Sequence, residues 1–170
     1  MHRYITWNGA MPTTAALVKV TTGTAIKTML QLSTPATRQL TVLSWGFTLD
    51  AAPATTGVGV VELIGTDVAA TVTAHSASGV MPLDPNAPAS LLTLGTANTG
   101  YTGSVEGSTT AGRLFDNVEV QGVSNGPQSN TYVRTFPPNQ QPVLAVSKFL
   151  RVRATFGAAV NMACWIMWDE

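Results

Sequence analysis

The 170-residue sequence has one cysteine, Cys164, and two histidines, His2 and His75. A single thiol excludes an intrachain disulfide, so stability must come from packing. One cysteine and two distant histidines also exclude a structural zinc site, which needs four such ligands gathered together. Charge is scarce. Charged residues make up 11% of the chain, against roughly 25% in ordinary globular domains. Nine basic residues balance nine acidic ones, for a formal net charge of zero. With no basic stripe to hold a phosphate backbone, nucleic acid is not expected as a partner. Net charge keeps freely diffusing proteins soluble and monomeric, so a nearly uncharged chain suits packing into an assembly. No apolar run reaches the ~18 residues of a membrane-spanning helix, and no membrane partner is expected. The opening "MHRYITWNGAMP" lacks the apolar stretch of a signal peptide, and no N-x-S/T sequon occurs. Together these features point to synthesis in a cytosol.

What the chain does have is threonine and glycine, 25 and 15 of them. Threonine fits pleated surfaces, and glycine and proline punctuate turns. Short alternating runs between turn signals mark an all-β sandwich or barrel. Candidate strands are "TAALVKVTT" (Thr14 to Thr22), "AIKTMLQLS", "QLTVLSWGFTLD" and "VGVVELIGT". In the third, Leu43, Trp45, Phe47 and Leu49 line one face. Ser44, Gly46 and Thr48 line the other, a small-residue face that invites close approach by a backbone or a large side chain. "DVAATVTAHSAS" reads as either a helical turn or a loop with strand character. "MPLDPNAPAS" must be an extended connection or an edge. "GTANTGYTGSVEGSTTAG" reads as a flexible surface loop, and "VSNGPQSN" as a turn. Residues 1–13, polar around Tyr4 and Trp7, read as an extended N-terminal arm, and 14–170 as a single β-sandwich domain. The expected architecture is a two-layer antiparallel sandwich, jelly-roll-like, of eight to ten strands.

The segment "VNMACWIMWDE" is the most informative. As a strand it carries Val160, Met162, Cys164, Ile166 and Trp168 on one face and Asn161, Ala163, Trp165, Met167 and Asp169 on the other. Neither face is polar enough for water. It is expected to form a hairpin with "SKFLRVRATFG", in which Leu150, Val152, Ala154 and Phe156 face one way. The chain has no spare amphipathic helix to cover the second apolar face. A second copy of the chain is the simplest cover, with a loop of the same chain as the alternative. Ala163, Trp165 and Met167 are therefore the expected oligomer interface.

Catalytic chemistry has little to stand on. His75 follows Asp67 by eight residues and adjoins Ser76, but no G-x-S-x-G elbow is present; it reads as a histidine on a polar loop. Cys164 reads as a small core hydrophobe. Asp84, beside prolines, reads as a turn former. The acids are scattered, and the glycine-rich stretch lacks the lysine and following helix of a phosphate cradle. No cofactor or metal is expected. Arg151 and Arg153 share a strand face, either as its wet side or as a grip on a partner's carboxylate or phosphate.

The strand "VELIGTDVAATVTA", the connection "PLDPNAPASLLTLGT", the later "RTFPPNQQPVLAVSKFLRVRAT" and the ending "VNMACWIMWDE" together resemble small structural proteins encoded near the capsid genes of phages infecting actinobacteria. The resemblance spans roughly residues 14 to 170. It implies a non-enzymatic capsid decoration (cement) protein or minor virion protein, commonly a jelly-roll-like homotrimer on the capsid exterior. It would bind the major capsid protein and would be made in the host cytoplasm. On that reading Tyr4, Trp7, Arg151 and Arg153 are the expected capsid contacts. The alternative is a carbohydrate-binding or host-attachment module of the virion, with Tyr101 or Trp7 stacking on sugars.

Overall fold

The computed structural model describes residues 2–54, 57–108, 112–122 and 130–170. Thirteen strands lie among them: β1 (Arg3–Trp7), β2 (Val20–Thr21), β3 (Lys27–Ser33), β4 (Leu40–Leu49), β5 (Val58–Thr66), β6 (Thr71–Ala74), β7 (Val80–Pro82), β8 (Gly100–Val105), β9 (Gly112–Gln121), β10 (Thr131–Thr135), β11 (Val143–Leu144), β12 (Phe149–Thr155) and β13 (Asn161–Asp169). A single 3-10 turn, Ala77–Gly79, precedes β7. The strands form two antiparallel sheets packed as a jelly-roll-like sandwich. The front sheet runs β10-β4-β13-β1-β7, with β11 also on β4 and β2 also on β13. The back sheet runs β6-β8-β3-β12-β5-β9. The expected turn at "VSNGPQSN" lies outside the described residues.

The core lies between the inward rows of the two sheets. Met162, Cys164, Ile166 and Trp168 of β13 are wholly buried, as are Leu150, Val152 and Ala154 of β12. Each large apolar side chain buried this way contributes about 1.5–3 kcal/mol. The expected hairpin of these two strands does not form. β12 pairs with β3 and β5 in the back sheet, while β13 pairs with β4 and β1 in the front sheet. Residues 156–160 turn a corner between sheets. A short connection can make a hairpin or a corner, and the apolar rows are the same in both cases.

The N-terminal segment is extended, but it is not a free arm. β1 lies between β13 and β7, with Arg3 opposite Asp169 and Trp7 opposite Trp165. Tyr4 and Thr6 point inward and are buried. The Tyr4 ring stacks on Trp168 at 5.8 Å, and its hydroxyl donates to the Pro88 carbonyl at 2.9 Å. Thr6 Oγ1 donates to the Gly79 carbonyl at 2.6 Å. Satisfied polar atoms let a polar-looking pentapeptide sit in a sheet interior, so the segment from Arg3 to Trp7 is part of the sandwich and not a separate arm. Conversely, Thr14 to Thr22 is a strand only at Val20–Thr21; Val18 stands 75% exposed.

Two further features shape the faces. A bulge at Leu43 sets Met167 opposite Ser44 but Trp168 opposite Val42. The inward row of β4 is therefore Leu40, Val42, Trp45, Phe47 and Leu49, and Leu43 turns outward. At the open edge, Asp116 of β9 is buried and joins the sheets. It accepts from Trp45 Nε1 at 2.9 Å, Tyr132 Oη at 2.8 Å and Arg134 Nη1 at 2.7 Å.

Candidate functional site

Directly opposed residues of antiparallel strands share a face, so the strand register gives the outer face of the front sheet row by row. One row carries Val133, Gly46, Trp165 and Trp7; the next carries Ser44, Met167, Ile5 and Met81. Trp165, Trp7, Met167, Ile5 and Met81 are all half-buried, and Val133 is 58% exposed. Trp165 and Trp7 meet with ring centroids 6.1 Å apart. A Cβ built on Gly46 would lie 3.0 Å from Cζ2 of Trp165, so the indole leans over the glycine. The small-residue face of β4 exists to receive it, as the sequence leads one to expect. Beyond Trp7 the surface dips into a hollow of about 340 Å³ lined by apolar side chains, among them Met11, Pro12, Leu17 and Met81. The result is a continuous apolar face that the described residues of the chain do not seal.

Of the three expected interface residues, Trp165 and Met167 lie on this face. Ala163 does not serve it, being 4% exposed. Asn8 flanks it: its Nδ2 donates to the Met162 carbonyl at 3.0 Å, and its Oδ1 accepts from the Cys164 amide at 2.7 Å. That clamp holds residues 8 and onward against β13 beside Ala163.

The expected capsid contacts divide sharply. Trp7 is on the apolar face. Tyr4 is in the core and unavailable to a partner. Arg151 is fully buried on the outer side of the back sheet. There its Nε and Nη2 donate to Thr28 Oγ1 at 3.0 and 2.7 Å, and Nη2 also donates to the Glu106 carbonyl at 3.1 Å. Its guanidinium is ion-paired with the Glu106 carboxylate. Burial pulls its pKa below the usual arginine value, against the opposing pull of Glu106. Arg153 is half-buried and pairs with Glu62, directly opposite on β5, at 2.9 Å. Arg151 is bonded within its own chain to Thr28 and Glu106, which follows β8 at the β3 side of the same sheet, and Arg153 to Glu62 of β5. Gln31 fastens the segments around β6 and β8 to β3, donating to the Ala70 and Asn98 carbonyls at 3.0 and 2.7 Å and accepting from the Ala70 amide at 2.8 Å. The glycine-rich segment expected as a flexible loop thus includes strand β8 and the Glu106 anchor.

His75, Cys164 and Asp84 are each held by the fold. His75 is buried rather than on a polar loop. Its Nε2 lies 2.8 Å from the Trp7 carbonyl, and its ring meets Tyr101 at 4.9 Å. Since the carbonyl can only accept, Nε2 carries the proton. Burial holds the imidazole below its ordinary value of 6.5, with the Trp7 hydrogen bond opposing. Cys164 is buried, and burial pushes its thiol well above the ordinary range. Asp84 turns the chain as expected, its Oδ1 accepting from the Asn86 amide at 2.9 Å. Among the described residues no three His, Cys, Asp or Glu side chains gather as metal ligands.

One group of residues was not visible in the sequence. Past Met167 the outer front face becomes polar, where Arg3, Thr41, Asn139, Gln141 and Asp169 line a groove of about 390 Å³. Asp169 is 5% exposed. No local signal marks this set, because only the register of four strands brings it together. No protein-family model, curated protein or solved structure matches the chain.

Proposed function

We propose that the protein is a non-enzymatic structural component of a virion. In this reading it is a decoration protein that binds the outside of a phage head as a homo-oligomer, a trimer by resemblance, and reinforces the shell. The observation that carries this reading is the apolar outer face of the front sheet. Trp165, Met167, Trp7, Ile5 and Met81 stand together half-covered on the outer face of one sheet. Homo-oligomer interfaces are more apolar than ordinary surface, and one tryptophan can bury ~150–250 Å². Sister copies are the cover in this reading, and the absence of net charge removes the repulsion that would oppose their approach. An oligomer then presents several copies of its rim to the major capsid protein, and multivalency multiplies weak contacts. Of the expected capsid contacts, Trp7 lies on this apolar face.

Light scattering on a sizing column tests the first half of this reading. The native chain should elute as an oligomer and Trp165→Ser with Met167→Ser as a folded monomer. A native chain that stays monomeric at the highest attainable concentration refutes self-association. Co-sedimentation with empty phage heads tests the second half, and failure of the oligomer to pellet with heads refutes decoration.

A further inference from the structure

The polar end of the front face is built as a row across four strands. Val143 of β11, Thr41 of β4, Asp169 of β13 and Arg3 of β1 are successively opposed. Asn139 and Gln141, from the connection between β10 and β11, wall the groove above that row. Asn139 is held in the left-handed region, at φ 69, which asparagine tolerates better than most residues. Although Asp169 is buried, its Oδ1 has no hydrogen-bond partner among the described residues. Its cross-strand neighbour Arg3 forms no ion pair with it among those residues. Asp116, the other buried aspartate, is satisfied by three side-chain donors. A buried carboxylate oxygen left unpaired is costly, so a ligand that donates to this carboxylate recovers that cost.

We propose that this groove is a binding site for a neutral saccharide, whose adjacent hydroxyls donate to the Asp169 carboxylate and accept from Arg3 and the side-chain amides of Asn139 and Gln141. The charges around it argue for neutrality. In the groove itself Arg3 stands on one side of the balance and Asp169 on the other. A cation meets the guanidinium and an anion meets the carboxylate, whereas a hydroxyl donates and accepts from the same atom. Val143 and Leu43 supply an apolar patch for the C–H face of a sugar ring. The volume lies within the ~300–1,000 Å³ of small-molecule sites. A peptide is also neutral, but β1, β4 and β13 are each paired on both sides, and β11, paired only with β4, is two residues long with its Val143 carbonyl accepting from Arg113 at 3.2 Å, so the edge offered to an extended peptide is short. The inference is independent of the decoration reading and involves none of the apolar residues on which that reading stands.

The test is a titration of the isotope-labelled full chain with methyl glucoside, methyl mannoside, methyl galactoside and N-acetylglucosamine, followed by amide NMR. At least one sugar should give saturable shifts at the Asn139 and Gln141 side-chain amides and in the backbone of residues 139–143 and 167–170. Gln141→Ala, on the groove wall, and Asp169→Asn should each weaken binding about tenfold, the loss of one hydrogen bond to or from a well-placed polar group. Gln141→Ala keeps the test decisive if Asp169→Asn does not fold. No saturable shift with any of the four sugars overturns the proposal, as does undiminished binding by Gln141→Ala. An acetylated glycyl-serine amide that binds the same residues more tightly than any sugar also overturns it, in favour of a peptide ligand.

Discussion

The outer face of the back sheet buries an arginine, while the outer face of the front sheet leaves a tryptophan half in water. The two sheets are similar in strand number and share one core, yet their outer sides are completed by opposite means. On the back, Arg151, Thr28, Gln31 and Glu106 tie residues 67–75 and 95–107 to β3 and β12 through hydrogen bonds that occupy most of their polar atoms. On the front, Trp165 leans on Gly46 and Trp7, and Met167 lies between Ser44 and Ile5. Polar groups can be buried only with partners in place, so a polar outer face fixes its cover within the chain. An apolar outer face asks only for exclusion of water and accepts cover from outside. Composition alone therefore misassigns residues: the buried arginine is Arg151, while Leu114 on the same outer face of the back sheet stands exposed.

The comparison can be broken hardest on the back. Glu106→Ala leaves the Arg151 guanidinium buried without its counter-charge. Loss of one partner of a buried pair typically costs about 3–5 kcal/mol, so urea unfolding should show a loss of that size with little change in oligomeric mass. A loss under 1 kcal/mol would mean that water reaches Arg151. Next is Gly46→Ala on the front. Its Cβ would lie 2.6 Å from the Tyr132 carbonyl oxygen as well as close to the Trp165 ring. Overpacking of this kind costs about 1–3 kcal/mol, and tryptophan fluorescence should report the displaced indole. Met167→Thr sharpens the contrast from the other side. Threonine keeps strand propensity, so monomer stability should fall by no more than about 1 kcal/mol, whereas the mass in solution should drop to that of one chain.

The smallest effect is expected at the seam between the faces, where His75, next to β6 of the back sheet, holds the Trp7 carbonyl of the front. Its folded-state pKa is depressed. The unfolded chain therefore takes up the proton first as pH falls below about 6.5, and stability declines until the folded-state value is passed. Above that range the term is flat. Melting temperatures between pH 7.5 and 5 should slope more for the native chain than for His75→Gln, and equal slopes would remove His75 from the pH dependence.

The fold class was legible because alternation and turn residues are local properties. The inward rows of β12 and β13, the long strands β4 and β5, the burial of Cys164 and the glycine seat for a large side chain could all be read from spacing. Sheet membership could not, since β12 and β13 present the same apolar rows whether they pair or face each other across the core. The bulge at Leu43 shifts the alternation by one residue, and nothing in "QLTVLSW" announces it. Arg151 was misread for a related reason. Its cover comes from Glu106, 45 residues away in sequence, and a strand pattern shows only which side a residue faces, not what lies there. Tyr4 was misread because its neighbours are polar, although their polar atoms find partners. The groove around Asp169 depends on four strands at once and has no sequence signature.

The pairing of Arg3 with Asp169 also sets a clock on biosynthesis. β13 occupies the middle of the front sheet, and β1 and β4 have no shared neighbour until it has left the ribosome. Trp45, Phe47 and the Trp7 segment emerge more than 100 residues earlier and must stay in solution without their sheet. So non-local a topology belongs with the slow folders, closing in milliseconds to seconds, and its nascent chains are open to mispairing throughout that interval.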